Sequence, residues 1–327
     1  MNQKNFTYYI DVIKLKVLAL FYLFLESFLL KKDLSFDNKI ILNQFNLEKS
    51  PFFFTYTFFE HPDELGNTLI KQNGIYTNHY TDISNHVNPL IPAYYGLVCY
   101  NYYLKTNDDK FKSLFLNHAE FCLTLVNDDG GLPILNNYKK FGLIAPWYSG
   151  ITQAIVASLL TRGFIETNND KYKICSQSII NFMIDEKRTY NKLLIKINNH
   201  PWIEEYPGKS SSQVLNGFCF CIISLFEFAN TFKDKRIEKI AIQNFNSLMH
   251  FLPLFLYKAG IRHNLKYYKF GNINYQALHV YLFYHLHIIT GNSTLLNIAK
   301  KYYKKTKWNQ FYNFYNIKRT NKPTFPL

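Results

Sequence analysis

Four short polar turns, each closing one apolar run and opening the next, constrain this chain more than any other feature. They lie at 104–111, 166–172, 231–235 and 290–295. Their spacing of about sixty residues is that of a repeated helical hairpin. A hairpin with one apolar stripe per helix cannot bury itself and must pack against its neighbours. The connection at the end opposite each short turn is long, which favours an α/α toroid over a narrow solenoid. The expected fold is therefore mainly α, an incomplete or four-hairpin α/α toroid with an irregular N-terminal extension. In such a ring the inner helices line a cavity and the long connections shape its mouth. A plain helical bundle fits the same periodicity.

The helical pattern starts near Pro89 and runs to about residue 305. Residues 1–73 are expected to form a helix and irregular extension, 74–305 the toroid, and 306–327 a tail. Residues 11–30 are apolar but interrupted by Lys14, Lys16 and Glu26. That pattern fits neither a signal peptide nor a clean membrane span. It fits a packing or amphipathic helix, with peripheral membrane contact as the alternative. Pro51, Pro62 and scattered Asn, Asp and Gly break the segment that follows.

The net charge of +14, from 37 Lys plus Arg against 23 Asp plus Glu, favours an anionic partner. No nucleic-acid module signature is present, and the charge is spread along the chain. The five cysteines, Cys99, Cys122, Cys175, Cys219 and Cys221, sit in apolar contexts without a Cys-x-x-Cys pair. They read as buried thiols of a reducing compartment, and a cytoplasmic location is expected. Assembly is left open, a dimer included. Tyr and Phe number 26 and 30, so no single aromatic is by itself a signal.

Three clusters carry candidate chemistry. The first is Trp202-Ile203-Glu204-Glu205-Tyr206-Pro207-Gly208, a loop before the helix that begins near Leu215. Pro207 and Gly208 stop regular structure there, and a serine among 210–212 can cap the helix. The loop falls in a long connection, which puts its two carboxylates at the mouth, where solvent meets core. An exposed acidic loop beside a core Trp and Tyr is the plain alternative. The second cluster runs from Arg262 and His263 to a helix carrying Tyr275 and His279, four apart and on one face. A packed aromatic helix with satisfied histidines is its plain alternative. The third is Trp147-Tyr148-Ser149-Gly150 with Gln153, where the aromatics either stack on a sugar or plug the core. No histidine spacing supports a metal, and no glycine-rich phosphate loop is present, so no cofactor is expected.

Together these motifs resemble the C-terminal domain of the D-glucuronyl C5-epimerases, the heparan and heparosan glucuronate epimerase family. The matching residues are Trp-Tyr-Ser-Gly-x-x-Gln at 147–153 with Arg162, and Trp-x-Glu-Glu-Tyr-Pro at 202–207. Ser-Ser-x-Val-Leu-Asn-Gly-Phe at 211–218, Arg262-His263 and Tyr-x-x-x-His at 275–279 complete the set, and Asn88-Pro89 with Tyr95, Gly96 and Leu97 extends it upstream. The resemblance implies inversion at C5 of glucuronate or iduronate in an acidic polysaccharide, without a dissociable cofactor. It implies catalytic roles for Glu205, Tyr206 and Tyr275, and an active-site role for Arg262. It places Trp147, Tyr148, Gln153, Trp202, Glu204, Asn216, His263 and His279 at the substrate. The family has a further tyrosine three residues before the arginine, where this chain has Ala259.

The implied chemistry has definite needs. Loss of a proton beside a carboxylate makes an enolate-like dianion, which a cation and hydrogen-bond donors must face. Arg262 suits that task, because its planar donors match a carboxylate. Its charge is also expected to lower the pKa of a neighbouring tyrosine. Two proton-transfer groups must stand on opposite faces of the sugar. The alternatives are a lyase that expels the C4 substituent from the same carbanion, and a protein that only binds an acidic glycan. The positive balance predicts polyanion binding that weakens as salt rises. Titration of a uronate polymer across a salt series checks this, and flat affinity would remove the electrostatic argument.

Overall fold

The structure, a computed structural model, describes residues 69–72, 75–78, 87–258, 260–266 and 273–302. The expected helix at 11–30, the tail at 306–327 and Ala259 lie outside the described residues. The first pair of strands, β1 (Leu69–Gln72) and β2 (Ile75–Asn78), straddles the boundary expected at residue 73. It leads into α1 (Leu90–Thr106) and α2 (Asp109–Leu123). The order then repeats. Strands β3 (Pro133–Ile134) and β4 (Trp147–Tyr148) precede α3 (Gly150–Thr167) and α4 (Asp170–Met183). Strands β5 (Leu194–Ile197) and β6 (His200–Ile203) precede α5 (Leu215–Phe232) and α6 (Lys235–Phe251). Strands β7 (Leu256–Tyr257) and β8 (Gly260–Ile261) precede α7 (Ile273–Thr290) and α8 (293–302).

The repeat is thus a β-hairpin followed by an α-hairpin, four times over. Each strand pair is antiparallel and isolated from the other pairs. Helices α1, α3, α5 and α7 pack in succession, and α2, α4 and α6 lie against α1, α3 and α5. This is the toroid-like α/α arrangement expected from the four turns.

The two kinds of helix differ in sequence for a physical reason. An outer helix buries one stripe: in α6 it is Ile237, Ala241, Asn244, Ser247, Leu248 and Phe251. An inner helix has neighbours on every side, so α5 is buried without interruption from Leu215 to Phe226. By length and composition α5 could cross a membrane, but 78% of it is buried inside the fold, where it is the central core helix.

All four short turns use one device. The residue after the inner helix adopts a left-handed conformation, at Asn107 (φ 55°), Asn168 (φ 54°), Lys233 (φ 56°) and Gly291 (φ 70°). Its N–H closes on the carbonyl four residues back. The next residue is always Asp or Asn, and its side chain caps the outer helix. Asp108 accepts from Lys110 N, Asn169 from Lys171 N, Asp234 from Arg236 N and Ile237 N, and Asn292 from Leu295 N.

At the C-terminal ends of the inner helices the core is charged. Arg162 of α3 pairs with Glu227 of α5 at 2.7 Å, both largely buried, and lies over the Tyr100 ring of α1. Tyr100 donates to Glu166 of α3 at 3.0 Å, and Glu166 pairs with Lys112 of α2 at 3.1 Å. His285 of α7 is held neutral, its pKa pushed down to about 3 by burial and then by the Arg162 charge.

Lys233 is neither Gly nor Asn, so its left-handed backbone carries a steric cost. Lys233→Gly is expected to stabilise the fold by about 0.5–1 kcal/mol after the entropy gained by the unfolded chain is subtracted. Asp234→Ala, which removes the cap beside it, is expected to cost about 1 kcal/mol. Urea unfolding of the two variants checks both signs.

Candidate active site

Three of the four long connections are tied together at Glu204. As β6 ends, Glu204 N–H donates to Leu193 O at 2.9 Å, and Glu204 O accepts from Gly150 N–H, the first residue of α3, at 3.0 Å. Its carboxylate, 1% exposed, accepts from Ser212 N at 3.1 Å, Ser212 Oγ at 2.6 Å, Gln213 N at 3.2 Å and Ser211 Oγ. Converging backbone amides and hydroxyls of this kind hold a carboxylate without a counter-ion. Just beyond the clamp, Leu215 N–H donates to His263 O at 3.0 Å, and Val214 bridges to Asn264, which joins the connection before α7 to the same knot.

The knot fixes the next residue, Glu205, over the first turn of α5. Its Oε2 lies where a Cβ on Gly217 would come within 2.3 Å, and it has no hydrogen-bond partner among the described residues. Glu205 is 7% exposed, and burial pushes its pKa up to about 7. A hydrogen bond from Tyr206 works against that rise, and the Glu204 charge adds to it. A carboxyl poised near neutrality can both take and return a proton.

Phenols surround it. Tyr206 stacks on Phe141 with ring centres 4.2 Å apart and has Tyr138 and Trp147 at 5.3 and 6.0 Å. Its hydroxyl is held well above the usual tyrosine range by burial first and the Glu205 charge second. Tyr275, at the start of α7, is the most accessible of the group at 38% exposed. Its pKa is pushed up to about 12, by loss of water first, then by the charges of Glu205 and Tyr138. Tyr94 of α1 is buried and shifted upward in the same way, with Glu205 and Tyr275 among the causes after burial. All these tyrosines keep their protons at neutral pH and are donors.

Tyr94 and Tyr138 were not singled out for the site in the sequence. With 26 tyrosines in the chain, nothing short of tertiary proximity could have selected them.

The structure brings His263 and His279 beside Tyr275. The His263 ring lies 4.5 Å from Tyr275 and 6.4 Å from His279. Burial first, and His263 second, push the fully buried His279 down to about 3, so it is neutral. Arg262, after β8, directs its guanidinium to the Tyr257 hydroxyl and the Leu265 carbonyl, both at 3.4 Å. Arg262 is not among the causes of the Tyr206 and Tyr275 shifts, so the expected lowering of a catalytic tyrosine's pKa by its charge does not occur there. Every cause of the Tyr275 shift acts upward, because a carboxylate and a second phenol are its electrostatic neighbours. Asn216 is buried in the first turn of α5, one residue before Gly217, and its Oδ1 has no hydrogen-bond partner among the described residues.

The other motif residues act inside the protein. Trp147 is buried under Tyr206, and its indole N–H donates to Asn136 O at 2.7 Å. Tyr148 turns to α4, its ring 4.6 Å from Phe182 and its hydroxyl accepting from Asn127 at 3.1 Å. Gln153 holds both backbone groups of Leu132, at 3.0 and 3.1 Å. Trp202 is fully buried and stacks on Phe218 at 3.8 Å. Glu204 spends its acceptor sites on the clamp. Arg162 lies at the far end of α3, in the ion pair with Glu227. Among the described residues, no group of three His, Cys, Asp or Glu side chains comes together to hold a metal.

A D-glucuronyl C5-epimerase from Caenorhabditis elegans is 27% identical over 191 residues, which cover 51% of this chain and 31% of the worm protein. The chain therefore aligns with about a third of that relative. Among solved structures, a glycoside hydrolase family 76 mannosidase from Bacteroides thetaiotaomicron is similar at 11% identity and a TM-score of 0.49, over 70% of this chain and 62% of that one. An unsaturated glucuronyl hydrolase from a Bacillus species is similar at 11% identity and a TM-score of 0.44, over 64% and 60%. The profile of the D-glucuronyl C5-epimerase C-terminus matches residues 127–305, which hold the Glu204 knot, the Glu205 carboxyl and Tyr275, and the chain belongs to that family.

Proposed function

We propose that this chain moves the C5 proton of a uronate residue in an acidic polysaccharide, with Glu205 as the proton-transfer group. The observation that carries the reading is a buried carboxyl with its pKa raised to about 7, ringed by protonated phenols, on a family motif. Glu205 as carboxylate takes the proton from C5. Tyr206, hydrogen-bonded to it, steadies the developing charge, and the more accessible Tyr275 delivers a proton from the other face. Arg262, on the connection before α7, supplies the positive charge for the substrate carboxylate. Reprotonation at C5 gives epimerisation, which the family supports. The chemistry needs no cofactor in this reading.

β-Elimination from the same carbanion is the second reading. Where the family has a tyrosine this chain has Ala259, with Tyr257 two residues earlier and its hydroxyl on Arg262. Elimination needs no donor facing C5 from the opposite side, only a proton for the departing O4.

Deuterium uptake at C5 of heparosan and a panel of uronate polymers in heavy water, with Glu205→Gln alongside, tests the proposal. Uptake that falls at least about 100-fold in the variant is expected. Uptake without cleavage marks epimerisation, and a near-ultraviolet-absorbing unsaturated product marks elimination. Binding with neither uptake nor unsaturated product in the wild-type protein would overturn the proton-transfer reading and leave a glycan-binding protein. The rate is expected to rise with pH through about 7, as Glu205 loses its proton.

The same carboxyl has a consequence for stability. Its folded pKa, about 7, lies above the ordinary 4.5, so the folded protein holds this proton more tightly than the unfolded chain. The group therefore weakens the fold progressively as pH rises from 4.5 through 7. Glu205→Gln is expected to gain up to about 3 kcal/mol at pH 8 and little at pH 4. Urea unfolding of both proteins at the two pH values checks it.

A further inference from the structure

Three observations around Glu205 have no role in the proton transfer itself. Gly217 occupies the first turn of α5, and a Cβ there would stand 2.3 Å from Glu205 Oε2, 3.0 Å from its Cβ and 3.1 Å from its carboxyl carbon. Contacts that close cannot be absorbed without moving the Glu205 side chain. Gly150 has the same relation to the preceding residue: a Cβ there would stand 2.5 Å from the Glu204 carbonyl oxygen, which its N–H already binds. The Glu204 carboxylate, fully buried, is gripped by Ser211, Ser212 and Gln213, the residues that lead into α5.

A charge buried this completely is kept only where it is fully hydrogen-bonded. Breaking the grip would release the loop that carries Glu205. The bare backbone at Gly150 and Gly217 and the clamp on Glu204 therefore act on the two sides of one short segment.

We propose that Gly217 and the Glu204 clamp form a seat that presents the Glu205 carboxyl to substrate, and that Gly217, Glu204 and Ser212 are positioning residues for Glu205. The seat serves catalysis only if Glu205 moves a proton as proposed above. Gly217 keeps the floor of the seat empty, so the carboxyl lies on the helix rather than turning out to solvent. Glu204 fixes the backbone from which the carboxyl projects. A substrate-binding role for Glu204 is replaced by an internal one.

The test separates the seat from the chemistry. In protein labelled with carbon-13 at the glutamate carboxyl, the Glu205 signal is assigned by its loss in Glu205→Gln and followed against pH in the wild type, Gly217→Ala and Ser212→Ala. Ser212→Ala keeps the Glu204 charge, so any shift there comes from loosening alone. Both variants are expected to move the Glu205 titration downward, from near 7 toward 4.5, as the carboxyl meets water. The deuterium uptake rate is expected to fall about 100-fold in Gly217→Ala, with KM changed less than twofold. Unchanged helix content by circular dichroism shows that the variant is folded. Wild-type titration in both folded variants would overturn the seat. A shifted titration in a protein that neither takes up deuterium nor forms an unsaturated product would uphold the seat and sink the proposed chemistry instead. Should Gly217→Ala not fold, Ser212→Ala decides alone by the same titration.

Discussion

The backbone and carboxylate of Glu204 hold the open end of the toroid together. Through one residue the hairpin β5–β6, the first residue of α3 and the loop leading into α5 are joined, and the connection before α7 is tied on one residue further along. Ser211 and Ser212, two of the serines expected to cap α5, bind Glu204 instead, and Val214 stands at the N-cap without a side-chain cap. Hairpins that repeat around a ring share only nearest-neighbour contacts, so nothing in the repeat itself fixes the heights of the inner helices. The knot does so at the mouth. At the opposite end the ion pair of Arg162 and Glu227, with Tyr100 and Glu166, spans α1, α3 and α5. A buried pair of this kind contributes more to register than to net stability, because desolvation offsets much of its attraction.

Between these two polar ends lies a continuous apolar core, and the candidate site sits where that core meets the mouth. Burial dominates every large shift in the site, upward for Glu205, Tyr206, Tyr94 and Tyr275 and downward for His279. The result is a neutral, proton-rich cluster in which Glu205 alone has its pKa near 7. A group so tuned destabilises the fold when it ionises, which is the usual conflict between a functional site and stability. Gly217 adds to that conflict, since glycine within a helix is itself unfavourable.

The site was partly legible before the fold. Glu205, Tyr206, Tyr275, His263 and His279 stand near one another, and they came from two motifs fifty to seventy residues apart. Trp147, Tyr148, Gln153, Trp202 and Glu204 belong to the same motifs yet serve the scaffold. A motif marks residues that must keep their places together, and it does not distinguish a side chain that touches substrate from one that holds it there. Tyr94 and Tyr138 carried no signal, because an aromatic-rich composition hides individual phenols. Arg262 was expected to bring down the pKa of Tyr206 or Tyr275 by its charge, but its donors face Tyr257 and the Leu265 carbonyl, and it is not among the causes of either shift.

The sequence alone determined the hairpins. Helix ends are set by local chemistry, so the four short polar turns are visible in the chain. The expectation of one apolar stripe per helix holds for an outer helix such as α6, whereas the inner helices α3 and α5 are buried on all sides. The short strands before each inner helix escaped notice because two to four residues hold too little periodicity to separate strand from loop. Only the tertiary structure decided that Glu204 turns inward and Glu205 toward the phenols. That choice depends on a missing Cβ at Gly217, twelve residues beyond Glu205, and on hydroxyls and amides at 211–213. Two adjacent glutamates have the same intrinsic chemistry, and only their neighbours in space give them different tasks.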